Sequence, residues 1–171
     1  MNRLLPIFLI LIVLLFSCAT AAAGEEPVVA DKEETIVVVD EDLTGKLKFN
    51  ENSGTVKAKV SVKSYIDGDT THFFVPTSIC PDGVLKARYI AINTPESTGK
   101  IEEWGKKASE YTKSKLSNAE SIIIESDDGN WNLDSTGSRY LVWVWYRNSE
   151  TEDYRCLNLE ILEEGLALPS S

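Results

Sequence analysis

The chain has 171 residues, of which 43% are hydrophobic and 26% are charged, and its formal net charge is −10. A chain of this length provides one ordinary hydrophobic core, which excludes an architecture of several large domains. Proteins that bind nucleic acid through their overall charge carry a basic footprint, which this acidic chain lacks. Any attraction for a polyanion must therefore come from a local group of basic side chains.

The first 17 residues are predicted to be a signal peptide. Arg3 supplies one positive charge, and residues 4–16 form an apolar run. Thirteen residues are too few to span a bilayer comfortably and match the core of a signal peptide. The segment Leu-Phe-Ser-Cys at residues 15–18 resembles a bacterial lipoprotein signal, which predicts lipidation of Cys18 and attachment to the cell membrane. The alanines at 21–23 offer ordinary secretion as the alternative, and both interpretations place the protein outside the cytoplasm.

Residues 18–54 are predicted to be an acidic tether. Residues 24–54 contain nine acidic residues and three lysines, and they offer little apolar material apart from residues 36–39. That apolar run is either a short strand or an isolated apolar spot. Residues 55–171, with eighteen acidic and thirteen basic residues, are predicted to form the folded domain.

Three strands are predicted at the start of this domain. Apolar and polar residues alternate over residues 56–63, which is the period of a half-buried strand. The acidic turn Ile-Asp-Gly-Asp-Thr at residues 66–70 separates this strand from a second one that ends at Val75. The third strand covers residues 84–92 and places Arg88 on the side opposite to Tyr89. Pro95 ends it, because the residue before a proline is kept out of the helical region.

The remaining pattern predicts the order βββαββα. A helix is expected over residues 102–119, with Trp104, Ala108, Tyr111 and Leu116 on its core face. Strands are expected at residues 121–125 and 140–146, and a second helix at residues 157–164 is closed by a glycine. The alternation within the strand 140–146 places its two tryptophans on one face, for which packing in the core is expected.

Polar side chains at the ends of the first three strands form the candidate site. The turn at residues 66–70 supplies Asp69, and the third strand leads from Arg88 to Asn93 and Glu96. Strands connected in this way bring Asp69, Asn93 and Glu96 together. Carboxylate and amide oxygens are ligands for hard cations. The sequence therefore predicts a cation site made of oxygen ligands, with an arginine beside it.

Four motifs in order resemble those of the staphylococcal-nuclease-like (thermonuclease) family. They are Ile-Asp-Gly-Asp-Thr at 66–70, an arginine-containing strand leading into Asn-Thr-Pro-Glu at 93–96, Arg-Tyr-Leu at 139–141, and the segment Asn-Leu-Glu-Ile-Leu-Glu-Glu-Gly-Leu-Ala at 158–167. The resemblance covers residues 58–168 and implies a mainly β fold, a five-stranded Greek-key barrel of the OB type, decorated with two helices here and three in the family. Family members continue past Gly-Leu-Ala into another helix, so the sequence is expected to be either a fragment or a domain without that helix.

The resemblance implies a calcium-dependent nuclease that hydrolyses phosphodiester bonds of DNA or RNA with little sequence preference, as a monomer. Asp69, Asn93 and the main-chain carbonyl of Thr94 correspond to the calcium ligands. Glu96 corresponds to the general base, because a carboxylate can position or deprotonate the attacking water. The family has an aspartate where this chain has Asn93, which predicts a weaker calcium site because affinity depends on ligand charge.

Arg88 and Arg139 correspond to the two arginines that clamp the phosphate, a role that suits the planar and permanently charged guanidinium. The family's run Asp-x-Tyr-Gly-Arg-x-Leu appears at residues 134–141 as Asp-Ser-Thr-Gly-Ser-Arg-Tyr-Leu. One residue is inserted before Arg139, and Thr136 stands where the family has a tyrosine. Trp131 is either a replacement stacking partner for a base or a loop tryptophan that covers the barrel.

Two alternatives remain open from the sequence. The departure at Asn93 allows a catalytically weakened module that binds nucleic acid or a surface partner without cutting. Cys80 and Cys156 form a disulfide only if the fold brings them together, although an extracytoplasmic location permits one.

Overall fold

The computed structural model of the protein describes residues 42–97, 99 and 102–170. These residues form the helices α1 (Leu43–Lys46), α2 (Gly105–Ser117) and α3 (Leu157–Glu163), and the strands β1 (Lys57–Asp67), β2 (Thr70–Phe74), β3 (Val84–Tyr89), β4 (Ile92–Asn93), β5 (Ser121–Glu125), β6 (Tyr140–Arg147), β7 (Arg155–Cys156) and β8 (Leu168–Pro169). In this part of the chain no helix is long and apolar enough to cross a membrane. The predicted signal peptide, Cys18 and the run at 36–39 lie outside the described residues.

Five strands close into a barrel. Their hydrogen-bonded order is β3-β2-β1-β5-β6, and a parallel pairing between β3 and β6 joins the two ends. The other pairs in the barrel are antiparallel. The predicted five-stranded barrel of the OB type is therefore confirmed.

The long strand β1 makes this closure possible. Its first residues pair with β5 and its later residues pair with β2. The register against β2 shifts between Val62 and Ser64 and again between Tyr65 and Asp67. Such irregularities bend a strand and increase its twist. One strand can thus belong to both halves of the barrel and still end at the acidic turn.

The core lies inside the barrel and under the two longer helices. Its fully buried side chains come from alternate positions of the strands and from the inner faces of the helices, which is the pattern expected for amphipathic elements. The largest apolar ones are Phe73, Leu85, Tyr89, Ile92, Ile124, Val142, Val144, Tyr146, Leu157 and Ile161.

The expectation that both tryptophans of β6 pack in the core is wrong for Trp143, and Trp145 is buried but on the outer face of the strand. The core face of this strand carries Val144 and its alternating neighbours, which are fully buried. Trp145 is buried on the opposite face, where its indole Nε1 donates a 2.6 Å hydrogen bond to Glu125 Oε2. Trp143 is half-buried on that same outer face, and its Nε1 is 3.5 Å from Asp127 Oδ1.

Residues from the end of the predicted tether cover this outer face. The Phe49 ring lies 5.4 Å from the Trp145 ring, and the hydroxyl of Ser53 donates to Glu125. Farther back, the Thr44 main-chain N–H and side-chain hydroxyl both donate to the carboxylate of Glu163, each at 2.8 Å. The boundary at residue 55 stays a prediction, but residues 44–53 contact the barrel and α3.

The helix α2 begins at Gly105, three residues later than predicted. Ala108 and Leu116 are buried, as expected from their spacing. Trp104 departs from the prediction: it precedes the helix, adopts a positive φ of 71° and leaves 52% of its surface exposed. It therefore does not pack in the core.

The third strand ends at Tyr89, earlier than predicted, and the chain turns before it forms β4. Ala91 has a φ of 67° in this turn, and β4 then pairs with β8. The side chain of Asn158, which is fully buried, holds the turn in place. Its Nδ2 donates to the carbonyls of Ile90 at 3.0 Å and Val142 at 3.1 Å. This clamp fixes the point at which the chain passes from Arg88 to Asn93.

Cys80 and Cys156 are both free and buried in the structure. Burial raises the pKa of the Cys156 thiol to about 12, so this thiol stays protonated at neutral pH. These two residues act as small apolar side chains in the core.

Candidate functional site

Asp69 lies at the centre of the candidate site and is 1% exposed. Its Oδ2 accepts a 2.7 Å hydrogen bond from the main-chain N–H of Thr94, and its Oδ1 accepts one of 3.0 Å from the hydroxyl of Thr70. Its own carbonyl accepts a hydrogen bond from the N–H of Tyr89 at 2.9 Å. Asp69 therefore joins the acidic turn to the end of β3 and to the segment after β4.

The acidic turn needs a glycine at position 68. A Cβ on Gly68 would lie 2.7 Å from the Cβ of Ala108 and 2.8 Å from Cγ2 of Thr94, which is closer than real contacts allow. The hydroxyl of Thr112 on α2 donates to the Gly68 carbonyl at 2.5 Å. The helix α2 thus packs directly against the acidic turn, and these contacts hold Asp69 in a fixed position.

Arg88 brings two of the predicted ligand residues together. Its Nη1 forms an ion pair with Oδ1 of Asp69, and its Nη2 donates to Asn93 Oδ1 at 2.6 Å. Nη2 also lies 3.3 Å from the carbonyl oxygen of Ile92. The Arg88 side chain is 16% exposed, so one edge of this largely buried pair reaches solvent. The oxygens of Asp69 and Asn93 therefore already converge on one cationic group.

Glu96 lies at the same edge of the barrel and is exposed. A hydrogen bond with the Asp67 side chain raises the pKa of Glu96, and partial burial and the negative charges of Asp67 and Asp69 raise it further. Asp67 is held in turn by the main-chain N–H of Ser97 at 2.8 Å and by the hydroxyl of the same residue. A carboxylate with a raised pKa is a stronger base than an ordinary glutamate.

Arg139 and Arg88 line the same cavity. This cavity has a volume of about 420 Å³, and Leu141 and Tyr89 are among its lining residues. The Nε of Arg139 donates to Oδ2 of Asp134 at 2.7 Å. Burial opposes ionisation of Asp134, but hydrogen bonds from neighbouring groups, that arginine among them, lower its pKa to about 2. Asp134 therefore stays charged and fixes the guanidinium at the cavity wall.

The inserted residue before Arg139 is accommodated in the turn at residues 134–139. The hydroxyl of Thr136, which stands where the family has a tyrosine, donates to Asp134 at 2.6 Å. Trp131 is half-buried and packs against the core cluster. This contact agrees with the interpretation of Trp131 as a loop tryptophan that covers the barrel.

The structure thus connects all the predicted site residues of the domain. Asp69 contacts Arg88 and Thr94, and Arg88 contacts Asn93. Glu96 is near enough to interact electrostatically with Asp69 and Arg88, and Arg139 shares a cavity with Arg88. Sequence reasoning missed Asp67, although it lies two residues before Asp69 in the same turn. The sequence could have indicated it, because two acidic residues on either side of a glycine belong to the same turn and lie close together.

The calcium ion that the resemblance implies can be tested against these donors. Among the residues that the structure describes, no three His, Cys, Asp or Glu side chains are grouped as metal ligands. The donors that the resemblance implies are the carboxylate of Asp69, the amide oxygen of Asn93 and the main-chain carbonyl of Thr94. All are hard oxygens of the kind that calcium prefers. They fit calcium in their chemistry and in the convergence of Asp69 and Asn93 on a cation, with one formal charge fewer than an aspartate at position 93 would supply.

Comparison with known proteins places this domain in a family. No curated protein matches the chain significantly. Residues 86–170 match the family model described as staphylococcal nuclease homologue. These residues include the end of β3, all of β4, the two longer helices and the positions of Arg88, Glu96 and Arg139. Residues 86–170 therefore belong to a domain of the family of staphylococcal nuclease homologues.

Proposed function

We propose that this domain hydrolyses phosphodiester bonds of DNA or RNA in a calcium-dependent reaction, with little sequence preference. One observation carries the proposal: Arg88 contacts Asp69 and Asn93 at the edge of the barrel that also holds Glu96. Cations, a base and an exposed edge are what the attack of water on a negatively charged phosphate requires.

The two arginines would bind the phosphate. Arg88 and Arg139 face one cavity from different strands, so a phosphate in this cavity can reach both guanidinium groups. Arg88 neutralises Asp69 in the structure, and a bound phosphate would compete with that carboxylate for its N–H donors. Asp134 keeps Arg139 oriented by holding its Nε. Both arginines would therefore act where negative charge develops in the transition state.

Glu96 would accept the proton of the attacking water. Its exposure leaves it accessible to solvent water, and its hydrogen bond with Asp67 makes it a better proton acceptor. Asp69, Asn93 and the carbonyl of Thr94 would hold calcium, which supplies a Lewis acid for a phosphate oxygen when it is bound. The network from Asp67 to Ser97 keeps the Glu96 loop in position.

A second candidate function is binding of nucleic acid without hydrolysis. It is favoured by Asn93, because the amide oxygen attracts a cation less than a carboxylate does. It is also favoured by the ion pair of Arg88 with Asp69, which leaves less positive charge to stabilise the transition state of hydrolysis. The two candidates differ in one measurable property, which is whether the strand is cut when calcium is present.

The substitution Asn93→Asp tests the metal part of the proposal. We expect the variant to need about tenfold less calcium for half-maximal cutting of single-stranded DNA. An added negative charge beside the ion strengthens the binding free energy of calcium by ~1–4 kcal/mol. The gain is reduced because the new carboxylate also pairs with Arg88. Calcium titration of the initial cutting rate measures the effect. Asn52→Asp, the same charge change at an exposed residue outside the site, is the control. Equal calcium requirements in Asn93→Asp and the parent would contradict a metal at this position.

We also propose that the protein acts outside the cytoplasm and is attached to the cell membrane through a lipid on Cys18. The support is the apolar run that precedes this cysteine. We expect Cys18→Ser to move the protein from the membrane fraction to the soluble extracytoplasmic fraction. A variant that stays in the membrane fraction would contradict the anchor, and a parent that is already released would favour ordinary secretion.

A further inference from the structure

We propose that a groove beside the candidate site binds one nucleobase of the substrate strand, which stacks on the indole of Trp104. The inference rests on the proposed function, because it places a base of the strand whose phosphate lies at Arg88. The groove has a volume of about 450 Å³ and is lined by residues of the loop before α2 and of the segment after α3, among them Pro95, Trp104 and Leu168.

The position of Trp104 is set by the site itself. The next residue, Gly105, packs so tightly on the Glu96 loop that a Cβ there would lie 2.2 Å from the Glu96 carbonyl oxygen. Trp104 adopts a φ of 71°, a region that bulky side chains rarely occupy. Residues in sparsely populated backbone conformations persist where the surroundings hold them, and they are common at binding sites. Here the strained backbone presents an aromatic ring to solvent instead of burying it.

The groove and the phosphate cavity lie on either side of one short β-ribbon. The ribbon consists of β4 and β8, paired through Ile92 with Pro169 and Asn93 with Leu168. Ile92 lines the cavity that holds the two arginines, whereas Asn93 and Leu168 line the groove. A ribbon of two strands is only about 5 Å wide between its strand axes. A nucleotide strand that crosses it can therefore place a phosphate on one side and a base on the other.

The chemistry of the groove favours a neutral, flat ring. Trp104 is 52% exposed and Leu168 is 72% exposed, so both offer apolar surface to a ligand. The carboxylates of Glu102 and Glu164 are also in the groove lining, and they would repel a phosphate there. The ammonium of Lys107 lies 3.6 Å from the centre of the indole ring, so a base would stack on the other face of the ring. Stacking of a base on an aromatic side chain tolerates every base, which agrees with little sequence preference.

The test compares the affinity of the full chain for two strands of the same backbone in the presence of calcium. One is a thymidine 12-mer and the other an abasic 12-mer, both with phosphorothioate linkages so that they bind without being cut. We expect the parent to bind the thymidine strand about 5- to 150-fold more tightly, the range that corresponds to the stacking of one base. Trp104→Ala and Trp104→Leu are expected to lose this preference, whereas Trp104→Phe keeps it. Neither alanine nor leucine has a ring on which a base can stack, but leucine keeps an apolar side chain at this position. Loss of the preference in both variants would therefore be due to loss of the ring and not to loss of the fold.

The matched control is Phe74→Ala. Phe74 is another exposed aromatic residue, 51% exposed with a lysine over its ring, but it lies on β2 and lines neither cavity. Its removal is expected to leave the preference unchanged. An unchanged preference in Trp104→Ala, in a protein that still cuts ordinary DNA, would overturn the inference and leave the proposed function standing. A parent that neither binds nor cuts any strand would overturn the proposed function and the inference with it.

Discussion

Glu96→Gln is expected to lower the rate of DNA cutting by about 100- to 10,000-fold, the contribution that a positioned general base usually makes. Glutamine keeps the shape of the side chain but cannot accept the proton of the attacking water. The fold should be retained, because Glu96 is exposed and its charge is repelled by Asp67 and Asp69. We therefore expect the variant to unfold at no lower temperature than the parent. Initial rates in calcium, together with thermal unfolding, measure both effects.

The control for this prediction is Glu103→Gln, which makes the same change at an exposed residue farther along the same loop. It should cut at the parental rate. The pH profile adds a second criterion, because Glu96 accepts a proton only above its pKa, which lies above the ordinary value of 4.5. Cutting by the parent should therefore rise with pH through a point above 4.5. Parental activity in Glu96→Gln would exclude Glu96 as the base.

Arg88→Ala is expected to have the largest combined effect on stability and activity. Asp69 is 1% exposed, and the substitution leaves its charge without the arginine. Removing one partner of a buried pair costs ~3–5 kcal/mol in the free energy of unfolding. Removing one charge-stabilising donor lowers the rate by about 100- to 1,000-fold. Chemical denaturation and initial cutting rates measure these two losses separately.

The effect of calcium on stability distinguishes Arg88→Ala from other destabilised variants. A ligand that binds only the folded state stabilises it, and Arg88→Ala exposes the oxygens of Asp69 and Asn93 that the guanidinium contacts in the parent. Calcium should therefore raise the melting temperature of Arg88→Ala by more than that of the parent. Lys86→Ala, at an exposed position on the same strand, should behave as the parent in both assays. A variant that keeps parental stability without calcium would show that Arg88 does not support Asp69.

Much of the site was predictable because it lies at the ends of strands. The alternation in β1 and the turn at residues 66–70 position Asp69, and the short strand β3 carries Arg88 to the same edge. Local pattern was sufficient here, because the period of a strand determines which side chains share a face. The ion pair between Arg88 and Asp69 was not predicted, since it depends on how closely the strands approach.

Trp104 shows where local pattern was misleading. Its spacing from Ala108 suits the core face of a helix. In the structure, however, the helix begins at Gly105, which packs on the Glu96 loop, and the ring of Trp104 is turned outward. The two tryptophans of β6 show the same limit. Their alternation was read correctly, but the outer face that carries them is covered by Phe49 and the segment around it, which composition alone assigned to a solvated tether.

The most direct test of the central claim is digestion of single-stranded and duplex DNA by the full chain, with calcium and with a chelator, in protein shown to be folded. We predict cutting in calcium and none in the chelator, at a rate that Asn93→Asp increases at low calcium. No cutting in calcium by either protein would contradict a nuclease site at Asp69, Arg88 and Glu96, and would favour the binding function.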